Sequence, residues 1–280
     1  MMDFNPLTYS KDNGLREVIS KTPKQVDIEK LPEIGGLGAI DTNYTKGEPL
    51  VETTIIFILS GGEEREKNYF KPLKSDNQIH NVKIAFRSKE GQGLKPYELL
   101  SIASDFVKNQ KFITEDEICY NIEEGDVIYL IQDVDEFEAE LKNHLKANYD
   151  KSKLQWIISN PCFEIWLFYH YNNNPSVLKE CLNKSTRDRS NWLKENLHVI
   201  IPGGVKTTKA FHSSDIAIVN SRTNYSEQDN FPDIFSTQMH IVAEKIINSL
   251  KEEYKELNER RQRQIDFYKK LNHKIDSKEE

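Results

Sequence analysis

Two aspartates one residue apart close an apolar run, Asp126 to Phe137 (DVIYLIQDVDEF), and this stretch is the part of the chain best equipped for chemistry. Val127, Ile128, Tyr129, Leu130 and Ile131 are β-branched, aromatic or otherwise apolar without interruption, as in a strand buried on both faces of a parallel sheet. If Asp133, Val134 and Asp135 stay extended, the two-residue side-chain period puts both carboxylates on one side of the strand end. Open α/β sheets bind their ligands there. Hard oxygen donors so placed suit Mg²⁺ or Mn²⁺. From Ile113 to Leu141 there is no lysine or arginine, so the local sequence offers no cation to neutralise the pair, whereas a metal would. A plainer reading stands beside this one: Asp133 opens a loop and Asp135 caps a helix that begins near Glu136.

Other chemistries fail on spacing. The seven histidines are dispersed, with no HExxH and no Cys/His cluster, which argues against zinc. No GxSxG elbow occurs, and Gly61-Gly62 is too short for a dinucleotide fingerprint. The string GGVKTT after Pro202 lacks the order of a phosphate-binding GxxxxGK[ST] loop, which excludes ATP binding on that basis.

The net charge of -7 rules out a basic nucleic-acid coat, so any nucleic-acid contact must come from local patches. Cys119, Cys162 and Cys181 make an odd count without a CxxC pair, which fits a reducing cytosol better than a disulfide framework. No apolar run approaches the roughly 20 residues that span a bilayer. The expectation is a soluble, cytoplasmic protein without a membrane partner.

The elements that must position the aspartates follow from the same patterns. Strands are expected at Thr53 to Leu59, Asn81 to Arg87 and Lys153 to Ile158, besides the central run. In the second of these Val82, Ile84 and Phe86 alternate with other residues, which places it nearer an edge. Glu63 to Phe70 reads as a helix stopped by Pro72. Leu99, Ile102, Ala103, Phe106 and Val107 mark one face of a helix after Pro96, and Phe137, Leu141, His144 and Leu145 mark another. Asn160 is expected to cap a helix with Pro161 at its first position. Pro175 to Leu197 is helical text with a basic side made by Lys184, Arg187, Arg189 and Lys194. Strands alternating with crossover helices define an α/β fold with a parallel sheet. Residues 1–50 form an N-terminal extension, 51–235 the main domain, and 236–280 a helix carrying Val242, Ile246, Ile247 and Leu250 followed by a charged tail. That tail offers a surface to a second copy of the chain or to another protein.

Three blocks carry a family resemblance. GGEEREKNYF (Gly61 to Phe70) is similar to an EGxxTExxYF pattern, QDVDEF places Asp133 and Asp135 on a DxD, and SNPCFEIWLFYHY (Ser159 to Tyr171) is close to SNPxFExWLLxHF. Together, and in this order, they resemble the RloB family of phage-defence proteins. The resemblance implies a Toprim-like parallel sheet flanked by helices, with a helical C-terminal region. In such a domain a glutamate after the first strand and a DxD after a later one hold divalent metal for phosphodiester chemistry. Here the family's first glutamate falls on Gly61 and its threonine on Arg65. Glu63, Glu64 or Glu66 is left to supply the acid, and Glu66 also matches the second glutamate of the pattern.

The implied catalytic set is therefore Glu66, Asp133, Asp135 and Glu164. Of these, Glu66, Asp133 and Asp135 would hold Mg²⁺ or Mn²⁺, while Arg65 and Lys206 would neutralise substrate phosphate. Glu164 has a second reading as an acid in the first turn of a helix, stabilised by the helix dipole alone. Ser159, Asn160, Pro161 and His170 are read as structural. The function implied is a metal-dependent nuclease acting on RNA, with transfer RNA as one option, or on DNA. It would serve antiviral abortive-infection defence under the control of an ATPase partner. The alternative is a non-catalytic adaptor or sensor that has lost the strand-end glutamate and binds an ATPase or nucleic acid.

Overall fold

A computed structural model describes residues 54–62, 64–75, 82–89, 93–201 and 203–252, together with 255, 259, 262 and 263. The expected N-terminal extension, Glu63 and most of the charged tail lie outside the described residues.

In chain order the elements are β1 (Thr54–Ser60), α1 (Arg65–Ser75), β2 (Val82–Arg87), α2 (Pro96–Asn109), β3 (Lys111–Ile113), β4 (Cys119–Asn121), β5 (Ile128–Asp133), α3 (Glu138–Lys146), β6 (Leu154–Ser159) and α4 (Glu164–Tyr169). There follow α5 (Thr186–Ile200), α6 (Thr207–Ala210), α7 (Ser214–Thr223), the two-residue strands β7 (Glu227–Gln228) and β8 (Phe231–Pro232), and α8, residues 239–252.

The four expected strands form one parallel sheet in the order β2-β1-β5-β6. Both faces are covered, so alternate side chains enter two separate cores. Ile56, Ile58, Tyr129 and Ile131 face one core, with α1, α4, α5, α7 and α8. Phe57, Leu59, Ile128 and Leu130 face the other, with α2, α3 and the β3–β4 hairpin. Burial on both sides explains the unbroken apolar runs of β1 and β5. The alternating strand β2 is at an edge and exposes Lys83, as its pattern implies.

Helix α4 has six residues, all buried, and such a length is too short to be stable by itself. Packing fixes it, since Trp166 and Tyr169 are fully enclosed, each worth roughly 2–3 kcal/mol of transfer free energy. Helix α1 differs from expectation by running through Pro72 to Ser75. Tyr69 and Phe70 are buried in the core and α6 packs along α1, which outweighs the bond that Pro72 cannot donate. In α8, Val242 and Ile246 are fully buried and Ile247 and Leu250 pack against the same core. Among the described residues, no helix is long and apolar enough to cross a membrane, and all three cysteines are free thiols.

Candidate functional site

From β1 the chain moves outward to β2, then returns to place β5 on the opposite side of β1. The reversal leaves a crevice beyond the carboxyl ends of these two central strands, the usual ligand site of such sheets. The Gly61 amide donates to the Ile131 carbonyl at 2.8 Å, which prolongs the β1–β5 pairing to this rim.

Four acids meet there. Glu66, in the first turn of α1, is 4% exposed, and its carboxyl folds back over Gly62. A β-carbon on Gly62 would stand 2.1 Å from both Glu66 oxygens, so only glycine admits this approach. Asp133 is the last residue of β5 and pairs in register with Ser159 of β6. Glu164 opens α4 and is 1% exposed. Asp135 completes the set, although not as the sequence implied. Its φ of 35° puts it in a turn, where its amide donates to the Pro161 carbonyl at 3.0 Å, so the 133–135 segment is not extended. The capping reading fails as well, because Phe137 occupies the cap of α3 and makes no side-chain bond there.

Two cations face these acids. The Arg65 guanidinium lies 2.9 Å from Glu164 Oε1, and its other nitrogen donates at 3.5 Å to the carbonyl of Lys194. The Lys194 ammonium donates to Asp135 Oδ2 at 3.3 Å. Lys194 is on α5, so the neutralising charge comes from 59 residues downstream of Asp135 and not from the flanking sequence or from a metal alone. The local sequence holds no cation, as read, and a metal is the neutralising charge expected in its place. That expectation rests on sequence neighbours, and the fold brings in a distant cation.

The charges act on one another strongly. Burial, aided by the charge of Glu164 and opposed by its own backbone amide, Lys194 and Arg65, pushes the Glu66 carboxyl up to about 7. Burial also raises Asp133 well above the usual carboxylate range, with Glu66, Glu164 and Asp135 adding to it and Lys194 opposing. For Lys194 burial works against the charged form, yet Asp133, Glu164 and Asp135 among others hold the ammonium above its ordinary value.

Several buried oxygens lack a hydrogen-bond partner: Asp133 Oδ1, Asp135 Oδ1 and both oxygens of Glu164. Glu164 Oε1 meets Arg65 as an ion pair only. Orphaned hard donors of this kind fit a divalent cation such as Mg²⁺ or Mn²⁺ in chemistry. In spacing, no three acid, histidine or cysteine side chains among the described residues are already set as metal ligands. Four carboxyls against two fixed cations would leave two uncompensated negative charges if all ionised, which is the charge of one such ion.

Of the remaining candidates, Glu64 is exposed and Glu63 lies outside the described residues. Lys206 is in the cap position of α6 and makes no ion pair among the described residues, so it does not join the cluster. At Gly61, where the resemblance expects a glutamate, the space is taken by Gln132: a β-carbon would come within 2.2 Å of its Oε1. Asn160 is not a helix cap. After its cis bond to Pro161, α4 starts only at Glu164, and Asn160 instead donates to the Pro232 carbonyl at 2.8 Å. With Ser159, whose hydroxyl meets that of Thr237 at 2.8 Å, it ties the turn carrying Glu164 to the segment before α8.

Sequence reasoning missed Lys194 as a site residue. The available signal was its place on the basic side of the Pro175 to Leu197 text, which did not distinguish it from Arg187 or Lys184. A cleft of about 750 Å³ is bordered by Lys67, Arg87, Ser88, Lys89 and Glu115 and is lined by none of the four acids. Lys67 pairs with Glu115 there at 2.8 Å.

Fold and site together define an α/β protein with a parallel four-strand sheet and a partly buried acidic cluster at the switch point. The chain belongs to the RloB-like protein family, whose pattern it matches over residues 56–246, a range that includes every member of the cluster. Neither the curated proteins nor the solved structures yield a match.

Proposed function

We propose that this protein is a Mg²⁺- or Mn²⁺-dependent phosphodiesterase, a nuclease of RNA (transfer RNA included) or DNA that acts as an effector in antiviral abortive-infection defence under an ATPase partner. The observation that carries the chemistry is the convergence of Glu66, Asp133, Asp135 and Glu164 at the switch point, with orphaned carboxylate oxygens among them. Substrate, setting and partner rest on the family resemblance.

Asp133, Asp135 and Glu66 would hold the cation. Bound there, it would supply Lewis-acid polarisation of a phosphodiester and a more acidic water. Burial raises the proton affinity of Glu66 and Asp133, so a cation bound there would compete with protons for their carboxyl oxygens. Arg65 orients Glu164 and leaves about two fifths of its side chain exposed, so its guanidinium can also meet a phosphate entering the crevice.

A second reading, a non-catalytic adaptor or sensor, is favoured by Gly61: the family acid is absent and Gln132 fills its space. Incubating the full chain with labelled RNA and DNA, with and without Mn²⁺ and a candidate ATPase partner, separates the two. Mn²⁺-dependent cleavage lost in Asp133→Asn supports the nuclease. Absence of cleavage together with absence of Mn²⁺ binding supports the adaptor.

A further inference from the structure

We infer that Lys194 is a positioning residue that stands in for the divalent cation in the metal-free site, and that cation binding requires its ammonium to release Asp135. The inference rests on the metal-site reading above and adds a competition within it.

Three observations converge. First, the ammonium is bound to a proposed ligand oxygen, Asp135 Oδ2, at 3.3 Å, while Oδ1 of the same carboxylate is buried without a hydrogen-bond partner. Asp135 is thus half committed to an internal cation. Second, the lysine is held in place: Arg65 donates to the Lys194 carbonyl while pairing with Glu164, so one side chain ties α1, α4 and α5 together around the acids. Third, its side chain is 37% exposed, which gives the ammonium somewhere to go.

The physics fixes the direction of the effect. An ammonium and a divalent ion a few ångströms apart repel, and they draw on the same carboxylate. The metal-free cluster therefore stays assembled because Lys194 is present, and it binds a cation more weakly for the same reason.

The test uses the full chain and Mn²⁺. In calorimetric titrations Lys194→Gln should bind Mn²⁺ about ten-fold more tightly than the parent while melting lower in EDTA. The exposed control Arg187→Gln, which removes a pair with Glu136, should change neither. In the unmodified parent, which avoids any folding defect of the variant, Mn²⁺ should raise the acetylation of Lys194 by an amine-reactive ester about three-fold, read by mass spectrometry. If the parent binds Mn²⁺ but Lys194→Gln binds it equally or less well, or Lys194 labelling does not rise, the competition is wrong and the metal site stands. If neither protein binds Mn²⁺, the metal-site reading itself falls and this inference with it.

Discussion

Lys194 Nζ lies 3.3 Å from Asp135 Oδ2, joining α5 to the turn after β5. This contact alters what the acidic pair means. A DxD with no basic neighbours in sequence looks like a bare metal site, whereas in the fold it is already half neutralised. The consequences can be measured without knowing the substrate.

The Arg65–Glu164 pair should be worth more to the acid than to the base. Glu164 is 1% exposed and Arg65 40%, so losing the arginine strands a buried carboxylate, while the solvent screening of Arg65 reduces the effect. Arg65→Ala should lower stability by about 2 kcal/mol. Adding Glu164→Gln should recover much of that loss. Urea denaturation of both single variants and the double variant provides the check, and strictly additive losses would mean that the pair is not coupled.

Two buried groups should give opposite pH slopes in the metal-free protein. Burial pushes the His170 imidazole down to about 3, from an ordinary 6.5, in a cage of Tyr69, Trp166 and Ser213. The folded state keeps it neutral, so its contribution is whole above pH 6.5 and is lost as pH falls toward 3. Glu66 is the reverse: raised from 4.5 to about 7 by burial, it contributes fully below pH 4.5 and loses that contribution as pH rises through 7. Measured in EDTA, the stability difference between parent and His170→Gln should shrink on acidification. The difference between parent and Glu66→Gln should shrink on alkalinisation. Each slope is limited to about 1.4 kcal/mol per pH unit. Slopes of the same sign would contradict the assignment.

At Gly61 the obstacle is Gln132, whose Oε1 would be 2.2 Å from a new β-carbon. The obstructing atom is the end of a flexible side chain, so Gly61→Ala should cost only about 1 kcal/mol. In a Gln132→Ala background the same change should be nearly neutral. Gly61→Glu in that background restores the acid of the family pattern and should strengthen Mn²⁺ binding. Unchanged binding there would show that the lost glutamate is not a ligand position in this chain.

The sheet was legible because doubly covered strands leave a plain signature: Ile55 to Leu59 and Val127 to Ile131 are apolar on both faces since both faces meet a core. Placing Glu66, Asp133, Asp135 and Glu164 at one site relied on the order of three blocks, and the fold brings these residues together. What stayed hidden was set by long-range contact. Lys194 reads like any lysine of an amphipathic helix until α5 packs across the strand ends. The turn at Asp135 is equally invisible, because its left-handed φ is held by the Pro161 carbonyl from the next strand's end. Helix α7 escaped detection because Ile216 and Val219 are exposed, which blurs the apolar stripe that would have marked it.

The most direct test of the central claim, that these carboxylates form a divalent-cation site, is a calorimetric Mn²⁺ titration of the parent beside Asp133→Asn and Asp135→Asn at neutral pH. The account predicts that the parent binds Mn²⁺, releasing protons from the cluster as it does so. Each variant should bind at least about ten-fold more weakly while melting at the same temperature as the metal-free parent or slightly higher. Variants that bind Mn²⁺ as tightly as the parent, or a parent that binds none, would contradict it.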